Sequence, residues 1–484
     1  MSDHPIESFE IENPPNLYKR GSLESENDIQ EYNNTNDNII FQEEDSLDSG
    51  KKNRGGLHKA YCGIKGDSDL SGILNVTVSA IGGGCFSFPY MMYEGGIIVI
   101  IFIFIFVTGC VYFSIDLLRS FVVDTKYFSF ALMTEAILGD KWLKIYAFCS
   151  FVIYVSMVIN YLTSIYVYIQ GMFDFEGVLS NTIYFIVTII IEIFICLYIS
   201  KMNNMMHFLS IVSITSFFLI VFSLIALAIV ANAKGKVDNK FISENLFFPK
   251  IDPKNFTNKM LKVSSYIIEF VYGYSYHSTF PTVIGYLKRV NNKNTKKIHK
   301  ISFSIVVLAY FLITFFGFIH SNTVPNQLFQ ENDKLFDGAW GVLRKPFKIV
   351  MVIYLLTLVP VRYIVIRDNY ITLMGNRKIT FCSDIIIILI FILICNIFVF
   401  GVGTFEKYLE GWDIRTLIQA FGGMFGVIIS FCLPVINFIS VNGKRKIKSI
   451  VGYIITGFFV ILGFFSTIYT IYKIIVGDDQ SRSS

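Results

Sequence analysis

The chain has 484 residues, 53% of them hydrophobic and 16% charged, with a mean hydropathy of +0.56 and a formal net charge of +4. A water-soluble domain carries about 25% charged residues to clothe its surface, so this composition excludes a soluble globule and makes the lipid bilayer the implied solvent. Basic residues are scattered over short segments rather than gathered in one region, which argues against a nucleic-acid partner.

Residues 1–60 are acidic, rich in Asn and poor in apolar periodicity, as at Glu43, Glu44 and Asp45. Such a segment buries too little apolar surface to offset the entropy of ordering, and a disordered cytosolic tail is expected. No basic stretch leads into an apolar core, so no signal peptide is expected and the first helix serves as the targeting signal. Residues 61–480 read as one transmembrane domain. Apolar runs near 71–93, 97–118, 145–169, 182–200, 207–230, 262–286, 301–320, 347–366, 381–401, 416–439 and 450–475 are long enough to cross a hydrocarbon layer of about 30 Å. An all-α polytopic protein with about eleven spans follows.

Lys and Arg crowd the loops after the even-numbered spans, above all Lys288, Arg289, Lys293, Lys296, Lys297 and Lys300. That bias predicts a cytosolic N-terminus, and an odd number of spans then puts the C-terminus in the extracellular space or a lumen. The sequon Asn255-Phe256-Thr257 falls in a non-cytosolic loop, where it would be usable, whereas Asn75-Val76-Thr77 lies inside a span and is expected to be silent. The eight cysteines form no CxxC pair and no cluster with histidine, so neither a disulfide framework nor a zinc site is implied. No cofactor is called for.

Two spans are interrupted at corresponding places. The first runs from Asn75 through Gly82, Gly83 and Gly84 to Pro89; the sixth runs from Phe270 through Gly273 and His277 to Pro281. Glycine is a poor helix former and proline removes a donor, so both helices are expected to open. Bare backbone at membrane depth is tolerated only where protein or a watery cavity surrounds it. Matched interruptions in spans 1 and 6 are the mark of inverted-repeat transporters. Close helix packing on small residues is the competing account of the glycines. If the helices do open, the N-terminal end of the helix resuming after Gly84 suits a carboxylate, and the carbonyls near Ile81 and Tyr272 suit an ammonium or a cation. Ile81, Gly82, Gly83, Gly84, Cys85, Tyr272, Gly273, Tyr274 and His277 are the expected substrate-binding residues.

These blocks, with Leu358 to Asp368 (including Pro360, Arg362 and Arg367) in span 8 and Gly422-Gly423 followed by Pro434 in span 10, resemble the amino acid/auxin permease family of the APC superfamily over roughly residues 65–475. The resemblance implies a LeuT-type fold, with inverted repeats at about 71–230 and 262–439 and an extra helix at 450–475. It also implies amino acid transport, often coupled to H⁺ or Na⁺. The chain departs from the family pattern at Val365, where a second proline is common. It departs again at Val78, where members that use sodium often carry a polar residue, and this favours H⁺ over Na⁺ as the coupling ion.

Ionisable groups inside a span are costly and invite a functional reason. His277, in the sixth-span interruption, is a candidate for proton coupling or substrate contact, because imidazole titrates near neutrality. Neutral histidine satisfying freed carbonyls is the plainer account. Glu269, two turns earlier, either serves a cation pathway or lines a vestibule. Glu192, near the middle of span 4, is either protonated or paired across helices. Arg362, close to the cytosolic end of span 8, is expected to snorkel, and Asp116 and Arg119 are spaced to pair locally.

The sequence therefore points to a secondary active amino acid symporter rather than an enzyme, working by alternating access in the plasma membrane or in an acidic vacuolar or lysosome-like membrane. The alternative is a transporter-like amino acid sensor that binds without significant flux. Which amino acid is carried and the oligomeric state are not encoded in any motif.

Overall fold

The computed structural model describes residues 68–173, 178–201, 205–233, 235, 239–246, 256–274, 276–320, 341–375, 381–405, 414–442 and 447–476. The expected tail, 1–60, and Asn255 of the sequon lie outside the described residues. Within them the chain is helical. In order the helices are α1 (Asp69–Ala80), α2 (Phe88–Gly95), α3 (Ile97–Thr125), α4 (Phe130–Leu138), α5 (Asp140–Phe173), α6 (Val178–Lys201), α7 (Met205–Ala233) and α8 (Asn239–Glu244). They continue as α9 (Phe256–Gly273), α10 (Phe280–Gly285), α11 (Asn292–Ile319), α12 (Gly341–Leu373), α13 (Phe381–Phe405), α14 (Ile414–Val427), α15 (Leu433–Asn442) and α16 (Ile447–Val476).

Helices lie over every range where the sequence places a span. Among the described residues, seven are long and apolar enough to cross a bilayer, and counting the bent pair α1/α2 as one span makes eight. The rest of the expected spans fall on interrupted helices or on shorter apolar stretches such as Phe185–Cys196 in α6 and Ile385–Phe400 in α13.

Local chemistry sets several boundaries. Ser68 caps α1 by accepting the Ser71 amide at 3.2 Å, and Asn291 caps α11 by accepting the Asn294 amide at 2.8 Å. Gly96 (φ 84°) and Gly139 (φ 88°) turn the chain between α2 and α3 and between α4 and α5 through the left-handed region, where a Cβ is penalised.

The core is built around α5 and α12, which run against each other, with α7 packed on α12 and α14 on α5. α11 packs on α1 and α2, α9 joins α14 and α16, and α6 and α13 pair on the flank. Apolar side chains on outer faces, such as Phe102 in α3 and Phe464 in α16, are 70% and 61% exposed, as expected of a surface that meets lipid rather than water.

A further irregularity lies between α14 and α15, where Ile428–Cys432 forms a π turn. Pro434 has no amide hydrogen for the carbonyl of Ser430, four residues back. That carbonyl accepts the Ser114 hydroxyl of α3 instead, and the Phe431 carbonyl accepts the Thr456 hydroxyl of α16 at 3.2 Å. Neighbouring helices thus satisfy the backbone that proline leaves open.

Candidate functional site

The first interruption begins at Ile81, whose amide still bonds to the Thr77 carbonyl at 2.9 Å while its ψ of 107° leaves the helix. Gly82 is extended (φ −106°, ψ 163°), and Gly83–Ser87 form a single 3-10 turn. α2 then starts at Phe88 with Pro89 in its first turn, where the missing amide costs nothing. The two half-helices meet at 52°.

The second interruption follows Gly273. The Tyr274 amide bonds back to the Val271 carbonyl at 3.1 Å, the Tyr276 amide to the Tyr274 carbonyl at 2.8 Å, and the chain turns through residues 277–279 before α10 begins with Pro281 in its first turn. Both helices expected to open therefore do so at their glycines.

One side chain joins the two. The Tyr310 hydroxyl, on α11 and fully buried, lies 2.7 Å from the Ala80 carbonyl and 2.8 Å from the Gly273 carbonyl, and it accepts the Gly82 amide at 3.2 Å. Tyr354 of α12 donates to the Ile81 carbonyl at 3.3 Å. The carbonyls that the sequence assigns to an ammonium or cation thus meet phenol hydroxyls here. Tyr161 of α5 and Tyr272 of α9 complete the aromatic rim: a Cβ on Gly82 would stand 3.2 Å from the Tyr161 hydroxyl, and one on Gly84 would stand 3.8 Å from Tyr272. Cys85 is fully buried behind them.

Arg362 supplies the charge. It does not snorkel: it is 3% exposed, reaches the Ser79 carbonyl of α1 at 3.4 Å, and stands 5.3 Å from the centre of the Tyr154 ring. The Tyr154 hydroxyl in turn contacts the Ser278 hydroxyl just past the second interruption. From Ser278 a cavity opens along α10 and α12, lined by Thr279, Thr282, Tyr286, Asp368 and Asn369. Arg362, Tyr154 and this polar cavity form one wall joining α1, α5, α12 and the segment leading into α10.

The expected coupling residues are not gathered together. His277 is buried and, among the described residues, neither ring nitrogen has a hydrogen-bond partner; its ring lies 5.9 Å from Tyr276 and faces His299, which stacks on Tyr112 at 4.8 Å. Glu269 lies about one turn before Gly273 in α9 and faces Tyr266, which is also close to Glu94, the partner of Lys262 at 2.5 Å. Glu192 sits on the flank between α6, α12 and α13, bonded to Tyr363 and Asn396. Asp116 and Arg119 pair at 2.9 Å as their spacing predicts, and Arg119 also reaches Asn292 of α11.

Tyr310, Tyr354, Tyr161 and Tyr154 are the participants that sequence reasoning misses. Tyrosine is frequent in this chain, and nothing in a single sequence marks which hydroxyls face an interruption.

A membrane bundle with two helices opened at facing places, and with main-chain groups and buried tyrosines at the opening, defines a secondary transporter. A family model described as transmembrane amino acid transporter protein matches residues 65–476, and the chain belongs to that family. Its fold is also that of solved transporters. A manganese transporter from Eremococcus coleocola aligns with a TM-score of 0.56 at 12% identity, over 89% of this chain and 90% of that one. A Na⁺-coupled sialic acid symporter aligns with a TM-score of 0.53 at 12% identity, over 88% and 93%. No curated protein sequence matches the chain. Family and fold are those of membrane carriers, not of enzymes.

Proposed function

We propose that the protein is an H⁺-coupled carrier of amino acids that alternates access about the space between the two interruptions. The observation that carries this reading is the meeting of Ala80, Gly82 and Gly273 on the single hydroxyl of Tyr310. A zwitterion needs acceptors for its ammonium and donors for its carboxylate within a few ångströms, and main-chain groups from two opened helices offer both. The ammonium meets the carbonyls of Ala80, Ile81 and Gly273. The carboxylate meets the amides at the start of the Gly83–Ser87 turn, and the Arg362 guanidinium, 3.4 Å from the Ser79 carbonyl, adds positive charge at the end of α1. Substrate leaves or enters along the cavity beside α10, on the face that carries Lys288 to Lys300, which is the cytosolic one if the N-terminus is cytosolic.

Coupling to H⁺ draws support from Val78 in the first span and from two buried titratable groups, His277 and Glu192, that face no opposite charge among the described residues. A proton gradient is available across either a plasma membrane or the membrane of an acidic compartment. The test is uptake by the purified protein in liposomes, from a panel of amino acids at two pH values. Concentrative uptake driven by an inward proton gradient is expected. Saturable binding with no flux would turn the reading toward a sensor, and flux indifferent to pH would remove the proton.

A further inference from the structure

Among the described residues, Glu192 is the most deeply buried acid. It lies in α6 at 0% exposure, on a helix whose neighbouring residues are apolar. Its Oε2 accepts the Asn396 amide of α13 at 2.9 Å and the Tyr363 hydroxyl of α12 at 3.3 Å, while Oε1 is buried with no hydrogen-bond partner among the described residues. The titratable groups facing it are Tyr363 from α12, Cys196 one turn along α6 and Cys395 from α13. None is a cation. Enclosing a carboxylate without a counter-charge costs more than two neutral donors offset. The surroundings are nevertheless built for a carboxyl, since Asn396 and Tyr363 approach it from two different helices. A group held so specifically, and so badly suited to a permanent charge, fits one that exchanges a proton.

The position of Tyr363 gives that exchange a reach. Its chain neighbour is Arg362, about 100° around α12, so the two side chains leave the helix in different directions. Tyr363 goes outward to Glu192, and Arg362 goes inward to the Ser79 carbonyl and the Tyr154 ring. Tyr154 continues to Ser278 beside the second interruption. A small rotation or slide of α12 that follows a change at Glu192 therefore moves the contacts of both opened helices together.

Resting on the H⁺-coupled reading above, we propose that Glu192, cradled by Tyr363 and Asn396, is the binding site of the coupled proton, and that α12 relays its occupancy to Arg362 and the substrate space.

The experiment measures amino acid uptake and lumenal acidification together in liposomes for the wild type, Glu192→Gln and Tyr363→Phe. Glu192→Gln keeps the shape of the carboxyl and cannot exchange a proton. It is expected to bind substrate within about threefold of wild type, to lose proton movement at least tenfold, and to lose concentrative uptake under a proton gradient. Tyr363→Phe removes one donor and is expected to move the pH midpoint of uptake while keeping proton movement. Acidification by Glu192→Gln at the wild-type ratio of protons to substrate overturns the inference and leaves H⁺ coupling standing. Should wild-type uptake proceed with no acidification, the coupled reading fails and takes this one with it. If Glu192→Gln does not yield folded protein, Tyr363→Phe decides alone, and an unchanged pH profile overturns the proposal.

Discussion

Between Ala80 and Phe88 the chain opens through three glycines and a small thiol, whereas between Gly273 and Phe280 it turns through Tyr274, Tyr276 and His277, all buried. The first interruption is roomy on one side: a Cβ at Gly84 would meet Tyr272 at an ordinary 3.8 Å. The second is packed solid: a Cβ at Gly273 would stand 2.7 Å from Cζ of Phe88, a ring that is 0% exposed. Similar letters at corresponding places therefore do different work. In the first span glycine leaves space beside the main chain, and in the sixth it lets one half-helix lie against the start of the other span's second half. On the proposed reading the first offers a binding surface, and the second is also a joint that holds that surface in place.

This division can be broken most forcefully at Gly84. Gly84→Leu fills the open side, and uptake is expected to fall at least about 100-fold, the cost of displacing a bound group by about 1 Å. Expression and thermal midpoint should stay near wild type, and both are read by fluorescence-detected size exclusion. Wild-type affinity in this variant would place the substrate elsewhere.

Tyr310→Phe comes next, because it attacks the tie between the two regions. Three main-chain groups lose their common partner, and destabilisation of about 1–3 kcal/mol is expected, seen as a thermal midpoint several degrees lower together with weaker uptake. Gly273→Ala sharpens the contrast from the other side. Overpacking against Phe88 should cost about 1–3 kcal/mol of stability, with a KM close to wild type in whatever protein folds. If Gly273→Ala instead raised KM and left the thermal midpoint alone, this glycine would serve the substrate more than the packing of the two spans.

The smallest effect is expected at the far end of α9. Lys262→Ala removes a half-exposed ion pair with Glu94, worth no more than about 1 kcal/mol, and the loss should vanish when wild type and variant are compared in high salt.

The two interruptions also show how far the sequence can be read. Long apolar runs located the helices, because a bilayer fixes their length, and glycine with proline eight or fewer positions on located both openings. Which way each side chain faces was not legible, since spans apolar all round carry little periodicity to orient them. Arg362 shows the cost: its closeness to a helix end reads as snorkelling, yet it turns inward to Ser79 and Tyr154. Tyr310 and Tyr354 were hidden because their role depends on a neighbour some 230 and 270 residues away in sequence. His277 was visible as an ionisable group in a span, but its direction, toward His299 and away from any hydrogen-bond partner, needed coordinates. Pro434 was visible only as part of a family pattern, and the Ser114 hydroxyl that donates to the freed carbonyl could not be picked out among many serines.

The phenol of Tyr310 has a last property that follows from counting hydrogens. It carries one, and two carbonyls stand within 2.8 Å of it. Whichever of Ala80 and Gly273 takes that hydrogen, the hydroxyl cannot give it to the other at the same moment. On the proposed reading, an ammonium with its three N–H groups would serve both carbonyls at once and release the hydroxyl.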